Sequence, residues 1–169
     1  AASDEYKRQV LDPDFFVNKY EKPLQRTQAV YYPPQLDSLG SEQFGVAPHT
    51  DFGNFTLLWQ DDNGGLELQN LAGDWIAAPP LSGTVLVNSG DLLGRWSNDR
   101  YRSTMHRVIN RSGRERLSIA TFYDPTFTAM VDPKDLNLAV GDLSKYPPVS
   151  AGEHILGRID ASFGYRKEL

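Results

Sequence analysis

His49-Thr50-Asp51 constrains this 169-residue chain more than any other stretch, because on an extended strand it makes a pair of ligands that still needs a distant third partner. Side chains on a strand alternate between faces, so His49 and Asp51 point the same way and can grip one side of an ion. The third ligand, His106, must arrive from a strand far along the sequence. Two histidines and one carboxylate with positions left open select non-haem Fe(II) among the common metals. Ten residues beyond His106, Arg116 and Ser118 share a face under the same period. A guanidinium beside a hydroxyl receives a carboxylate: the fork pairs through two bonds and the hydroxyl adds a donor. Metal ligands together with an inward-facing carboxylate receptor predict an organic acid bound beside a metal.

Each of these residues has a structural alternative. A lone histidine is more often a core side chain bonded to backbone, and zinc also accepts histidine and carboxylate ligands. Arg116 could be a salt-bridge arginine paired with Asp124 or Glu115, since a buried guanidinium needs an anion. His154 lies on a helical stretch among charged neighbours and is assigned to the surface, outside the site. The face that carries Arg116 and Ser118 continues to Ala120 and Phe122, which puts Phe122 over the cavity and Asp124 at its rim. Trp59, Trp96 and Tyr101 are additional pocket candidates.

The rest of the chain supplies strands for such a site. From Arg26 an alternating stretch puts Gln28, Val30 and Tyr32 on one face and ends at Pro33-Pro34, which cannot donate to a ladder. Phe44 to His49, Phe55 to Gln60, Leu66 to Gln69, Trp75 to Ala77, Thr84 to Asn88, Arg107 to Ile109 and Leu117 to Phe122 read as further strands. Asp62-Asn63-Gly64-Gly65 is a hairpin signal, and Ala72-Gly73-Asp74 and Asn110-Arg111-Ser112-Gly113 are turns. Short strands with turns every 8–12 residues predict an all-β barrel or sandwich.

Helices flank this core. Residues 1–24 form a helical lead-in, with Tyr6, Val10 and Leu11 on one face and Phe15, Phe16 and Tyr20 as core aromatics of a second short helix. Pro34 to Glu42 is a polar loop, and Asp91 to Trp96 is one helical turn. Near the C-terminus Ser150 and Glu153 make a capping box. Ile155, Ile159 and Phe163 then recur every fourth residue, predicting an amphipathic helix on the sheet. The expected organisation is a lead-in over 1–24, a β core over 25–128 and an extension with its helix over 129–169.

Composition narrows the function classes. A net charge of -5 with no cluster of Lys and Arg argues against a nucleic-acid partner. No apolar run reaches the ~20 residues of a membrane span, so no membrane association is expected. The chain has no cysteine, which excludes disulfides and thiolate metal sites and fits a cytoplasmic location.

The motifs His49-Thr50-Asp51, His106 and Arg116-Leu117-Ser118 resemble the signature of Fe(II)/2-oxoglutarate-dependent oxygenases, with the isopenicillin N synthase-like branch as the nearest. Tyr31-Tyr32-Pro33, Thr56-Leu57-Leu58, Gly64-Gly65-Leu66, Val87-Asn88-Ser89-Gly90-Asp91 and Ala151-Gly152-Glu153 agree with it. The resemblance implies a double-stranded β-helix, or jelly roll, with flanking α-helices, so mainly β overall. It implies a dioxygenase that binds Fe(II) through His49, Asp51 and His106 and uses O2, with ascorbate as a candidate reductant. The cosubstrate 2-oxoglutarate would be held by Arg116, Ser118 and Tyr32. The branch often has asparagine where Val30 stands, so one polar contact is missing here. Phe122 and Asp124 fall where substrate contacts occur in relatives acting on aromatic molecules, and they suggest a small, aromatic substrate.

Two alternatives stay open at this stage. One is an iron oxidase that does without 2-oxoglutarate and uses Arg116 and Ser118 for the substrate's own carboxylate. The other is a non-catalytic metal-binding jelly roll. Members of this branch are about twice as long, so the chain resembles their C-terminal half, with the N-terminal half absent. Oligomeric state is not legible in the sequence.

Overall fold

The computed structural model describes residues 14–34, 44–136 and 143–162. Its backbone is mostly antiparallel sheet. Helix α1 (Phe15–Lys19) leads into β1 (Pro23–Tyr32), followed by β2 (Val46–His49), β3 (Phe55–Gln60), β4 (Leu66–Gln69), β5 (Trp75–Ala77) and β6 (Leu86–Ser89). After α2 (Asp91–Trp96) come β7 (His106–Val108), the long β8 (Arg116–Thr126) and β9 (Met130–Val131). A 3-10 turn (Pro133–Leu136), β10 (Val149–Ser150) and α3 (Ala151–Ser162) complete the order. The expected strands are therefore present with shifted ends. The first begins at Pro23 instead of Arg26, and the last extends to Thr126.

Two four-stranded sheets, ordered β1-β8-β3-β6 and β2-β7-β4-β5, form the jelly roll, and β9 and β10 make a small third sheet. The larger sheet is held by long regular ladders, with Tyr32 opposite Arg116, Gln60 opposite Ser118 and Thr56 opposite Asn88. The smaller sheet brings His49 opposite His106, which is how two histidines 57 residues apart in the chain meet (106 − 49). Asp62 to Gly65 is not a hairpin: β3 and β4 lie in different sheets, and this turn carries the chain across between them. Gly64 and Gly65 have φ of 69° and 89°, the left-handed region that favours glycine.

Apolar packing divides in two. Tyr32, Leu66 and Val108, with Val30, Val46, Leu58, Leu68, Ala78 and Leu86 around them, fill the space between the sheets. Leu92, Trp96, Val131 and Ala151, joined by Phe15 and Leu136, pack the helices together at the side. Trp96 is fully buried there, while Trp59 and Tyr101 are exposed, so none of these three lines the central cavity. Phe15 is core as expected, but Phe16 is 41% exposed.

The capping box of α3 is formed: Ser150 Oγ accepts from Glu153 N at 3.2 Å, and Glu153 Oε2 accepts from Ser150 N at 3.2 Å. Only Ala151 and Gly152 of this helix are buried, so it docks by its first turn, and Ile155 and Ile159 are partly buried. The helix expected around Tyr6, Val10 and Leu11, the loop over 35–42 and Phe163 lie outside the described residues.

Candidate metal and carboxylate site

A cavity of about 170 Å³ lies between the two sheets, lined mainly by apolar side chains with His49, Asp51, His106, Arg116 and Ser118 set among them. Strand β2 ends at His49, and the chain turns so that Asp51 follows in a loop whose carbonyls are already taken. Gly90 N donates to Asn54 O (2.9 Å), Asp91 N to Asp51 O (2.8 Å) and Leu92 N to Gly53 O (3.0 Å). The start of α2 thus holds the 51–54 loop from behind.

One ligand-capable atom from each of His49, Asp51 and His106 lies within 4.8 Å of the others. His49 Nε2 is 3.9 Å and His106 Nε2 3.7 Å from Asp51 Oδ1, separations that one ion bound at about 2.1 Å to each atom spans. The opposite ring nitrogens are occupied: His49 Nδ1 meets Ala47 O at 2.8 Å and His106 Nδ1 meets Thr104 O at 2.9 Å. Since carbonyl oxygens only accept, both Nδ1 atoms carry a proton and donate, and both Nε2 atoms face Asp51. Asp51 is buried, and its Oδ2 accepts from Thr56 Oγ1 (2.6 Å) and Asn88 Nδ2 (2.8 Å). Its Oδ1 is left to face the histidines. Two imidazole nitrogens and one carboxylate oxygen, oriented by outer partners, fit a divalent iron.

Across the cavity floor Arg116 is fully buried. Its Nε donates to Gly64 O (2.5 Å) and its Nη2 to Gln60 Oε1 (3.0 Å), while Nη1 is buried with no hydrogen-bond partner. Tyr32 packs beside it, with the guanidinium carbon 4.6 Å from the ring centroid. Neither Asp124 nor Glu115 pairs with Arg116: Glu115 accepts from Tyr31 OH at 3.3 Å, and Asp124 lies elsewhere. A buried guanidinium with one donor unspent, beside the buried Ser118 on the same wall, is built to receive an anion. The closed side of this receptor is made by the β3–β4 turn.

Ala120 and Phe122 continue that wall into the cavity, as the strand period requires. Asp124 does not reach the rim. It is buried beneath the 51–54 loop, where Oδ1 accepts from Asn54 N at 2.5 Å, and a side chain on Gly53 would collide with it. Burial pushes the Asp124 carboxyl above its usual range, with the Asp51 charge adding to it and the Asn54 N–H and Arg26 opposing. His154 is not a free surface residue either. Its Nε2 lies 3.1 Å from Phe52 O, and burial lowers its pKa.

Several groups around the site have no role legible in the sequence, although Thr56, Asn88 and Asp91 stand in stretches that carry the family resemblance. Thr56, Asn88 and Gln60 touch Asp51 or Arg116 directly. Asp91 Oδ2 accepts from Thr50 Oγ1 (3.2 Å) and pairs with Arg158 Nη2 (2.7 Å), linking α3 to the metal loop. A signal existed for the first two: Thr56 and Asn88 are polar residues at inward positions of otherwise apolar strands.

Comparison with known proteins agrees with this geometry. The family model of the 2OG-Fe(II) oxygenase superfamily matches residues 14–125. A 2-oxoglutarate-Fe(II) type oxidoreductase of Emericella nidulans is 37% identical over 167 residues, covering 94% of this chain and 47% of the relative. A homoarginine-6-hydroxylase of Oryza sativa is 43% identical over 121 residues, covering 70% of this chain and 37% of the relative. The crystal structure of a full-length Neurospora crassa protein in complex with alpha-KG and thymine superposes with a TM-score of 0.82 at 31% identity, covering 90% of this chain and 48% of that one. The chain thus spans about half the length of these relatives or less. With a matching family model, near-complete coverage by a relative and a donor set that fits Fe(II) and 2-oxoglutarate, this chain belongs to the 2OG-Fe(II) oxygenase superfamily.

Proposed function

We propose that this chain is the metal-bearing part of a dioxygenase of the isopenicillin N synthase-like branch, which couples oxidative decarboxylation of 2-oxoglutarate to oxidation of a small organic substrate. The observation that carries this reading is the unpartnered Nη1 of Arg116, buried in the same cavity as the His49, Asp51 and His106 cluster. A metal-binding barrel without cosubstrate has no use for a buried cation with a donor to spare. The three ligands would leave three of six positions open on the metal. Bound iron, with 2-oxoglutarate and O2, supplies the oxidising power and yields succinate and carbon dioxide.

The rest falls to the protein's own side chains. Arg116 Nη1 and Ser118 Oγ donate to the distal carboxylate of the cosubstrate, and the Tyr32 ring keeps the guanidinium in place against it. Thr56 and Asn88 occupy one oxygen of Asp51, so the carboxylate offers a single atom and does not close a second coordination position. The apolar lining, including Val30, Leu58 and Leu86, keeps bulk water from the reacting centre. Phe122 offers a ring to the substrate, whereas Asp124 acts by shaping the 51–54 loop. Small molecules suit this site: one relative is named for homoarginine and one neighbour holds thymine. No described helix is long and apolar enough to cross a membrane, and the lack of cysteine supports a cytoplasmic protein.

The test is cosubstrate binding. Arg116→Lys keeps the charge but loses the planar fork. With charge-assisted hydrogen bonds contributing roughly 1.5–3 kcal/mol each, it raises the 2-oxoglutarate requirement at least about tenfold. An unchanged requirement, or turnover without succinate, would return Arg116 to the role of a receptor for the substrate's own carboxylate.

A further inference from the structure

The strand pair β1–β8 carries two guanidinium–aromatic stacks, at opposite ends of the same cavity wall. At the closed end Arg116 of β8 lies on Tyr32 of β1. At the other end Arg26 of β1 lies on Phe122 of β8, with its guanidinium carbon 4.7 Å from the ring centroid, and the two residues are direct cross-strand partners. Arg26 has the same parity as Gln28, Val30 and Tyr32, all of which line the cavity, and it stands one inward position beyond Gln28. Both Arg26 and Gln28 are exposed, which marks this end as the mouth.

Among the described residues the Arg26 side chain makes no hydrogen bond or salt bridge; its charge is felt by Asp124, whose Oδ1 accepts from Asn54 N. The ring holds the guanidinium in place by its face, a contact that does not use the N–H donors at its edge. Six residues separate the two arginines along either strand, roughly 20 Å at ~3.4 Å per residue, which is room for two small acids end to end.

On the reading of a 2-oxoglutarate enzyme given above, we infer that Arg26 is a second carboxylate receptor, and that the primary substrate is an organic acid. Its carboxylate meets Arg26 at the mouth, and its apolar body passes Phe122 toward the metal ligands. Arg116 and Arg26 thus divide the two acids between the two ends of one wall.

The experiment uses the chain loaded anaerobically with Fe(II) and saturating 2-oxoglutarate. A panel of arylacetic acids and their primary amides is then titrated by calorimetry, with retained 2-oxoglutarate measured in parallel. Acids bind at least about tenfold tighter than the matching amides. Arg26→Gln removes that preference without releasing 2-oxoglutarate, and Arg26→Lys restores part of it. Amides binding as well as acids, no acid binding at all, or a preference that survives Arg26→Gln overturns the inference while 2-oxoglutarate stays bound. Failure of the unsubstituted chain to hold 2-oxoglutarate sinks the underlying reading instead, and this inference with it.

Discussion

Asp51 reaches the cavity with one of its oxygens already taken. Thr56 and Asn88 sit directly opposite each other on β3 and β6, so their donors converge on Oδ2 and leave Oδ1 toward the histidines. Outer partners of this kind commonly change metal affinity 10–100-fold. Thr56→Val and Asn88→Ala are each expected to weaken Fe(II) binding roughly tenfold, measured by competition with a chelator of known affinity. Wild-type affinity in both variants would mean that Asp51 is oriented by its backbone alone. The candidate ligands are legible in the sequence as a His-x-Asp pair, but the strand period expected to align them stops at His49, and Asp51 is brought round by the loop that follows. Thr56 and Asn88 lie in stretches that carry the resemblance, but their convergence on Asp51 depends on the pairing of β3 with β6, which no local spacing encodes. Asp124 shows the same limit. Its parity on β8 follows from the strand period, but the 51–54 loop that folds over it is a long-range event.

The turn between β3 and β4 is where local sequence signals mislead, and it holds Arg116, the proposed carboxylate receptor, through Gly64 O. Asp62-Asn63-Gly64-Gly65 has the residues of a hairpin because turn chemistry fixes local φ, and local φ does not choose which strand comes next to which. Here Gly65 O accepts from Ile109 N at 2.9 Å in one sheet, while Asp61 ties the other end to β8. A Cβ on Gly65 would stand 2.7 Å from Ile109 O, at a φ of 89°. Gly65→Ala is therefore expected to cost roughly 1–3 kcal/mol of stability and to weaken 2-oxoglutarate binding, because Gly64 O holds Arg116 Nε. Parallel melts and cosubstrate titrations check both; a variant that loses neither would free the turn from this role.

Asp61 adds a pH signature at the same place. Burial alone would raise its carboxyl, but hydrogen bonds from Leu117 N and from the backbone and side chain of Asn63, with the Arg116 charge, outweigh that and leave it lowered. A lowered carboxyl stabilises the fold above its unfolded value, near 3.8, and that contribution is lost as pH falls through the folded value. Asp61→Asn should then be less stable than wild type by about 1 kcal/mol at neutral pH. The gap should close in acid, below roughly pH 4. Denaturant melts from about pH 3 to pH 7 decide it, and a gap independent of pH would remove charge from the account.

At the scale of the molecule, the inner faces of the two sheets are accounted for by the cavity and its packing, but the outer face of the larger sheet is not. Tyr31, Leu57, Trp59, Val87, Leu117 and Ile119 stand exposed on four adjacent strands, with Val87 at 62% and Trp59 at 44%. The sequence carried this signal: Phe55, Leu57 and Trp59 put apolar side chains at the outward positions of β3, as in a strand covered on that face too. Alternation at β1 and β4, by contrast, identified one buried face and hence the sandwich. An apolar surface of this extent favours association in water. The chain spans about half the length of its relatives or less, and none of the described residues covers this face. The 169-residue chain alone is therefore expected to bind Fe(II) and 2-oxoglutarate, since both receptors are built from its own strands, yet to self-associate through this sheet. Sedimentation velocity across a wide concentration range should show mass rising with concentration. Trp59→Glu combined with Val87→Lys should return the chain toward monomer while leaving both affinities unchanged, because these side chains point away from the cavity. A chain that stays monomeric throughout would show that the sheet tolerates water, and a double variant that loses Fe(II) or 2-oxoglutarate would show that the outer face supports the site from behind.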